Sequence, residues 1–308
     1  MSANTPTDPL ATFESALRAR AGAEADTWLE ALPELIGTMR ATWDLVVTGT
    51  ARDVDAFGMT IPATRGEDRV LLRMSYPDGW FLDETAALHA WDNNGAVRLL
   101  ETDARGAHLR AAPDPGTPLS AERNQMRALR LAAGALRELW IPAPDGLQML
   151  SVEVREWMDQ MPARFERVDR PFERTLLHDA EQLFRAFMPT QAAPVLLHGD
   201  ARLGAFVLDG DHAIAIDPKP LVGEPAFDVA SLLRDRPEEL VADTVAGRQI
   251  LQSRLEQLTD LLDVSASRVK GWAFAVAVDI GLVAFEAGDA TGGELMTDVA
   301  RLCQSLTA

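Results

Sequence analysis

A cluster of breaker residues divides this 308-residue chain into two parts with different periodicity. The cluster is the stretch Ala-Pro-Asp-Pro-Gly-Thr-Pro at residues 112–118. Before it, short apolar and β-branched segments separated by polar breaks are typical of strands. After it, apolar residues recur mainly at the three- and four-residue spacing of amphipathic helices. The sequence therefore predicts an N-terminal lobe over residues 1–112 and a C-terminal lobe over residues 113–308.

Strand-like segments of the N-terminal part fit a mostly antiparallel sheet. They are residues 45–48, 59–62, 70–76, 97–101 and 107–111. Helical spacing over residues 13–39 predicts one or two helices ahead of the sheet. A further helix is predicted to begin near Phe81 or Leu82, and residues 1–10 are polar and predicted to be disordered.

The C-terminal part is predicted to be helical over residues 121–140 and 174–188 and again in its last third. A short β-rich segment interrupts the helices at residues 195–197, 206–208 and 213–216. The longest apolar stretch, from Trp272 towards Ala287, contains Asp279 and is too short to span a bilayer. It is predicted to form a buried helix.

Two aspartates stand at strand ends of this β-rich segment. Asp200 lies in Leu-His-Gly-Asp and Asp217 in Ile-Asp-Pro-Lys. In phosphoryl-transfer sites one aspartate orients the acceptor hydroxyl or accepts its proton, and a second holds Mg²⁺ against the nucleotide phosphates. The order of the two residues predicts Asp200 as the catalytic residue and Asp217 as the metal ligand.

One metal ligand of such a site is missing. An asparagine five residues after the first aspartate normally helps to hold the metal, and that position is Ala205 in this chain. Alanine has no side-chain oxygen to offer a cation. Asp209 or Asp211 could be recruited in its place.

These motifs resemble the aminoglycoside phosphotransferase superfamily, and within it the streptomycin 6-phosphotransferase and hydroxyurea phosphotransferase group. The segments that carry the resemblance are residues 90–101, 114–116, 142–144, 162–167, 197–209 and 215–230. The resemblance implies an α+β, bilobal protein-kinase-like fold, with a small antiparallel-sheet lobe and a larger, mainly helical lobe. It also implies ATP and Mg²⁺ as cofactors and transfer of the γ-phosphoryl group to a hydroxyl of a small molecule.

The resemblance assigns a nucleotide-binding pair in the N-terminal lobe. The family carries a strand lysine that reaches the ATP phosphates, and the corresponding residue here is Arg73. The glutamate with which the family's lysine pairs lies on a helix and corresponds to Glu84. Arginine keeps the charge but is larger and planar, so the exchange is not conservative at a tight phosphate site. We expect Arg73 to lie within salt-bridge reach of Glu84.

Three further residues receive roles from the resemblance. His198 is expected to pack against the catalytic loop and to form hydrogen bonds with it. Asp228 is expected to brace the same loop through backbone N–H groups. Arg202 stands at the family's second histidine position and could contact substrate or phosphate, or be a solvated loop residue.

The charge and composition bound the partners. A formal charge of −18 without any basic run argues against nucleic-acid binding. The acidity is compatible with a cationic small-molecule acceptor, and equally with a role in solubility alone. Carboxylates that could contact such a cation are Glu153, Asp159, Glu224 and Asp235.

Cellular context is indicated only by what the chain lacks. Cys303 is the single cysteine, which excludes an intramolecular disulfide framework. The first ten residues do not have the pattern of a secretory signal. These features predict a cytoplasmic protein that does not enter the membrane, and they leave monomer and dimer open.

Ala205 and Arg73 leave two main hypotheses for function. The first is an ATP-dependent phosphotransferase that acts on an aminoglycoside-type antibiotic or a metabolite, impaired to some degree at these two positions. The second is a catalytically inactive pseudokinase-like protein that binds a nucleotide or a small molecule. Different chemistry on the same fold is a third, minor alternative.

Overall fold

The computed structural model describes residues 9–52, 54–55 and 57–307 of the chain. Most of the predicted disordered segment, residues 1–8, therefore lies outside the described residues. The chain forms two compact units, Met1–Asp114 and Pro115–Ala308. The sequence placed the corresponding division at residues 112/113.

The first unit consists of an antiparallel sheet and three helices within its described residues. Its elements are α1 (Pro9–Ala21), α2 (Ala23–Thr42), β1 (Val46–Val47), β2 (Gly58–Arg65), β3 (Asp68–Ser75), α3 (Gly79–Trp91), β4 (Leu99–Asp103) and β5 (Ala107–Ala111). The strand order is β1-β2-β3-β5-β4, and every neighbouring pair is antiparallel. The predicted sheet is confirmed, with strand ends that differ by a few residues from the predicted ones.

Alternation along β3 explains how the sheet holds both a core and a polar face. Leu72 and Met74 are fully buried and pack with Met39 of α2 in one apolar cluster. Arg73 points to the opposite face, because successive side chains of a strand alternate. Helix α3 begins at Gly79, two residues earlier than predicted, where the Asp78 carboxylate caps it by accepting a hydrogen bond from the Phe81 N–H (3.2 Å).

The second unit is mainly helical. Its strands are β6 (Pro115–Pro118), β7 (Val195–Leu197), β8 (Phe206–Asp209), β9 (His212–Ala215) and β10 (Leu221–Gly223). Its α-helices are α4 (Gln125–Leu139), α5 (Leu150–Arg167), α6 (Arg174–Phe187), α7 (Ala226–Leu233), α8 (Pro237–Val241), α9 (Thr244–Leu262), α10 (Ala266–Glu286) and α11 (Ala290–Gln304). The predicted change from strands to helices along the chain is confirmed.

Two small sheets of this unit flank the segments that contain Asp200 and Asp217. Strand β7 pairs antiparallel with β10, and β6, β8 and β9 form a three-stranded antiparallel sheet. The breaker cluster is predicted to link the two lobes, but its residues Pro115–Pro118 form β6. Prolines are tolerated there because β6 is an edge strand, where one side of the backbone needs no partner.

Helix α10 is the centre of the helical packing. Nearly all of its residues from Val269 to Leu282 are buried, as predicted for the longest apolar stretch of the sequence. It packs against α6, α7 and α11. Throughout the described part of the chain, each helix is too short or too polar to cross a bilayer.

Candidate functional site

The catalytic-loop motif connects β7 to β8, and the Asp217 motif connects β9 to β10. Backbone contacts hold the two segments together: the Lys219 N–H donates to the His198 carbonyl (2.8 Å). Gly199 has φ +81°, and a β-carbon on it would lie 1.8 Å from the Lys219 carbonyl oxygen. Only glycine fits this close approach, because other residues would clash and would be strained at that φ. The site is thus built by direct contact of the two predicted motifs.

Asp228, in the first turn of α7, braces the catalytic loop. Its fully buried carboxylate accepts hydrogen bonds from the backbone N–H groups of His198 (2.9 Å) and Gly199 (2.9 Å). It also accepts from the Trp140 indole N–H (3.2 Å). Burial raises the pKa of Asp228, and the hydrogen bonds from these three donors oppose that rise. The contact expected from the resemblance is present.

His198 fills the space under the loop, as expected. Its ring is fully buried and stacks on Phe206 with centroids 5.6 Å apart. Nδ1 accepts from the Asp200 N–H (3.3 Å), and Nε2 lies 3.1 Å from the Ile216 carbonyl oxygen. These contacts together assign the proton to Nε2. His198 therefore ties the two aspartate-bearing segments together.

The Asp200 carboxylate is held by two cationic side chains. Arg202 donates to both of its oxygens, from Nε (2.8 Å) and Nη2 (3.0 Å). Lys219 Nζ lies 2.7 Å from Oδ2. Burial acts to raise the pKa of Asp200, but the charge of Lys219 and the hydrogen bonds of Arg202 outweigh it and bring this pKa well below its ordinary value. Asp200 is therefore an ionised carboxylate that can accept hydrogen bonds but takes up a proton only weakly.

Ala205 lies beside the predicted metal ligand. Its carbonyl oxygen accepts from the Ile216 N–H (2.8 Å), so it faces the residue just before Asp217. Asp217 has φ 49°, an uncommon backbone conformation for a residue other than glycine, of the kind that clusters at functional sites. Position 205 therefore lies against the backbone segment that carries Asp217.

A magnesium ion held partly by a nucleotide fits this arrangement. Mg²⁺ commonly takes one or two carboxylates and completes its octahedron with phosphates and water. Asp217 offers that carboxylate. Within residues 9–52, 54–55 and 57–307, no group of three or more His, Cys, Asp or Glu side chains could hold a metal without such help.

The suggested replacement of the missing ligand by Asp209 or Asp211 is wrong. Strands β8 and β9 form a hairpin in which Phe206 pairs with Ala215 and Asp209 with His212. Asp209 and Asp211 therefore stand at the turn, four residues of strand away from Ala205. At about 3.3 Å per residue this is a separation of roughly 13 Å, too far for a shared ion.

The predicted ion pair of Arg73 with Glu84 is also wrong. Arg73 is buried, and its Nη2 contacts the Asp55 carboxylate at 3.1 and 3.2 Å. Glu84 pairs with Arg110 of β5, whose Nη2 lies 2.5 Å from Oε1. Leu71, two residues from Arg73, is the cross-strand partner of Arg110, so both guanidinium groups share one face of the sheet. Arg110, on the strand next to β3, therefore pairs with Glu84 of α3 in place of Arg73.

Two of the carboxylates suggested for a cationic acceptor are already engaged. Glu224 is buried, pairs with Arg268 and accepts from the Trp272 indole N–H (2.6 Å). Asp235 accepts from the Leu203 N–H (3.1 Å), and burial raises its pKa. Both therefore serve the local structure of the second unit.

Sequence reasoning missed three residues of these clusters: Lys219, Asp55 and Arg110. Lys219 could have been noticed, because it is one of only two lysines and follows Asp217 by two residues. Asp55 and Arg110 carry no local signal. Their contacts depend on how a loop and a neighbouring strand meet β3 and α3.

Comparison with known proteins agrees with the motifs. The family described as aminoglycoside/hydroxyurea antibiotic resistance kinase matches residues 70–288. A streptomycin 6-kinase of Streptomyces glaucescens is 30% identical over 277 residues, which cover 87% of this chain and 88% of that protein. A hydroxyurea phosphotransferase of Kitasatospora aureofaciens is 32% identical over 278 residues, with 87% and 77% covered.

Solved structures show the same fold at much lower identity. The choline kinase LicA from Streptococcus pneumoniae has a TM-score of 0.63 at 12% identity, with 89% of this chain and 99% of that chain covered. A thermostable mutant of aminoglycoside phosphotransferase APH(4)-Ia, in complex with AMP-PNP and hygromycin B, has a TM-score of 0.61 at 13% identity, with 87% and 97% covered. The predicted protein-kinase-like α+β fold is confirmed. The chain belongs to the aminoglycoside/hydroxyurea antibiotic resistance kinase family.

Proposed function

We propose that this protein transfers the γ-phosphoryl group of ATP to a hydroxyl group of a small molecule of the antibiotic or aminocyclitol type. The observation that carries the proposal is the contact between the two segments that contain Asp200 and Asp217. Family membership supports the reaction class. The relatives named streptomycin 6-kinase and hydroxyurea phosphotransferase support the class of acceptor.

The chemistry of the site follows from its charges. Asp200 would accept a hydrogen bond from the acceptor hydroxyl and aim its oxygen at the γ-phosphorus. Asp217 would hold Mg²⁺, which neutralises charge on the phosphates. Because phosphoryl transfer passes through a loose transition state, the nucleophile needs positioning more than early deprotonation. A weakly basic Asp200 is suited to that task.

The acceptor class is proposed as hydroxylated and cationic. A net charge of −18 would attract a cation over a distance of about a Debye length, roughly 8–10 Å. Streptomycin is cationic and hydroxyurea is uncharged, so the acceptors in the names of the two relatives differ in charge. Comparing streptomycin with hydroxyurea at low and high salt separates steering from direct recognition.

A second function, nucleotide or ligand binding without transfer, is favoured by one specific feature. Ala205 removes a metal ligand, and such a loss typically costs about 10²–10³ in rate. The two functions differ in one experiment, in which ATP, Mg²⁺ and a panel of hydroxylated cations are incubated with the protein and the acceptors are weighed by mass spectrometry. A phosphorylated acceptor supports transfer, whereas ligand-induced thermal stabilisation without product supports binding alone.

A further inference from the structure

We propose that Lys219 is a catalytic residue whose ammonium group binds the γ-phosphoryl group during transfer and so offsets the metal ligand that the site lacks at position 205. This inference rests on the phosphotransfer proposed above. It extends that function by naming a second source of charge beside the Asp217 metal site.

The first support is distance. Lys219 Nζ lies 2.7 Å from Oδ2 of Asp200, the carboxylate that would hold the acceptor hydroxyl. Any phosphorus attacked by that hydroxyl must come within about 3–3.5 Å of its oxygen. The phosphoryl oxygens are therefore within reach of Nζ with only a small movement of the lysine stem.

The second support is the anchoring of Lys219. The Lys219 N–H donates to the His198 carbonyl (2.8 Å), and Gly199 packs against the Lys219 carbonyl oxygen. Prolines on both sides restrict its backbone. The side chain extends from this backbone to Asp200 and is 34% exposed. A fixed backbone that carries a partly exposed ammonium group is a suitable anion-binding arrangement.

The third support is charge. A metal ion near Asp217 needs several oxygen ligands, and Ala205 contributes none. An ammonium group needs no ligands, because it carries its charge on the chain and donates hydrogen bonds directly. Lysine acts in this way as a compact point charge for phosphate. A fixed ammonium group can thus offset weaker binding of the metal ion.

The reaction balances with Lys219 protonated throughout. The acceptor oxygen forms a bond to the γ-phosphorus, and the bond from that phosphorus to the β,γ-bridging oxygen breaks. ADP leaves with the electron pair. The acceptor proton passes to the Asp200 carboxylate and from there to water, while Lys219 donates hydrogen bonds to the transferring oxygens.

A purely structural role for Lys219 makes different predictions. In that role the lysine would only orient Asp200, and it would have no effect on phosphate binding. The two roles therefore separate in nucleotide affinity without Mg²⁺. The two roles also differ in whether a metal ligand introduced at position 205 restores the transfer rate when Lys219 is removed.

The test compares Lys219→Met with Lys270→Met, which removes the other lysine of the chain. Titration calorimetry measures binding of ATP and of adenosine in the presence of EDTA. We expect Lys219→Met to weaken ATP binding about tenfold and to leave adenosine binding unchanged, as an ammonium contact to phosphate requires. Lys270→Met should change neither, because that residue contacts the Leu306 carbonyl away from the two motifs.

The second arm measures kcat and its Mg²⁺ dependence. We expect Lys219→Met to lower kcat by about 10²–10³-fold. Adding Ala205→Asn should then recover about tenfold or more and make the rate depend more steeply on Mg²⁺. Lys219→Arg, which keeps the charge, should retain ATP binding in EDTA and guards against a folding defect of the methionine variant.

Unchanged ATP affinity of Lys219→Met in EDTA would overturn the proposal, as would failure of Ala205→Asn to recover any rate. Either result would leave Lys219 as a positioning residue for Asp200. If the wild-type protein phosphorylates no acceptor, the proposed function fails instead. The binding arm still decides in that case whether Lys219 contacts phosphate.

Discussion

Asp228 offers the sharpest test of how the catalytic loop is held. Asp228→Ala would remove the acceptor of the buried His198 N–H and of the partly buried Gly199 N–H, and each donor left without a partner costs up to about 1–3 kcal/mol. Removing a buried carboxylate recovers part of this loss, because burial disfavours the ionised form. We expect a net loss of about 2–5 kcal/mol in the free energy of unfolding, together with loss of phosphoryl transfer.

Asp228→Asn is the matched variant. It keeps the shape and one acceptor oxygen, but it turns an NH₂ group towards one of the two N–H donors. We expect about half the loss of the alanine variant. Asp298→Ala is the control for removing an aspartate, because Asp298 pairs with Arg301 at the exposed surface and should change stability by less than about 0.5 kcal/mol.

Urea unfolding measures the stability of these variants, and hydrogen exchange of peptides that cover residues 197–205 measures the loop itself. Protection of the loop amides should fall most in Asp228→Ala. If that variant loses less than about 1 kcal/mol and keeps its loop protection, Asp228 does not brace the loop and the explanation is refuted.

Three further predictions concern other parts of the chain. Asp55→Asn keeps an acceptor for the Phe57 and Gly58 N–H groups but removes the negative charge beside Arg73. The Kd for ATP, measured by calorimetry, should therefore fall about 3–10-fold. An unchanged Kd would exclude competition between Asp55 and phosphate for Arg73. Burial raises the pKa of Asp279 to about 6, opposed by Arg164. The protonated form of Asp279 therefore stabilises the fold at low pH. This contribution to the free energy of unfolding, about 3 kcal/mol, is lost as the pH rises from about 4 through 6. Urea titrations should show Asp279→Asn more stable than wild type at pH 7.5 but not at pH 4, and equal differences at both pH values would contradict this. Gly199→Ala should destabilise by about 3 kcal/mol or more, because its β-carbon meets a backbone oxygen at 1.8 Å; wild-type stability and activity would show that the loop can shift.

The sequence predicted most of the secondary structure because the relevant signals are local. The apolar and β-branched character of residues 70–76 lies within one strand, and the helical spacing of residues 174–188 lies within one helix. The breaker cluster at residues 112–118 was harder to interpret. Its prolines indicate a break in local structure, but they do not show that an edge strand is available for pairing in the fold.

Side-chain partners in the site were less predictable. The expected pair of Arg73 with Glu84 requires knowing that Arg110, 26 residues after Glu84, enters the same face of the sheet. The contact of Lys219 with Asp200 spans 19 residues and depends on how two loops cross. Such contacts are set by tertiary packing, and the motifs alone determine only which backbone segments meet.

The expected contact of Asp228 with the loop, by contrast, was correct. It was inferred from the resemblance and from its place in the first turn of α7, where a carboxylate is favoured near free N–H groups. Loop architecture was therefore accessible from the sequence. The charge environment of Asp200 was not, because it depends on Arg202 and Lys219 side chains whose directions follow from the folded loops.

The central claim is that Asp200 positions an acceptor hydroxyl for phosphoryl transfer. The most direct measurement is the single-turnover rate of phosphate transfer from ATP to streptomycin, or to another acceptor that the panel identifies, in wild-type protein and in Asp200→Asn. The account predicts a phosphorylated acceptor from the wild type and a rate at least about 10²-fold lower in the variant, with ATP affinity retained. Equal rates in the two proteins would contradict it.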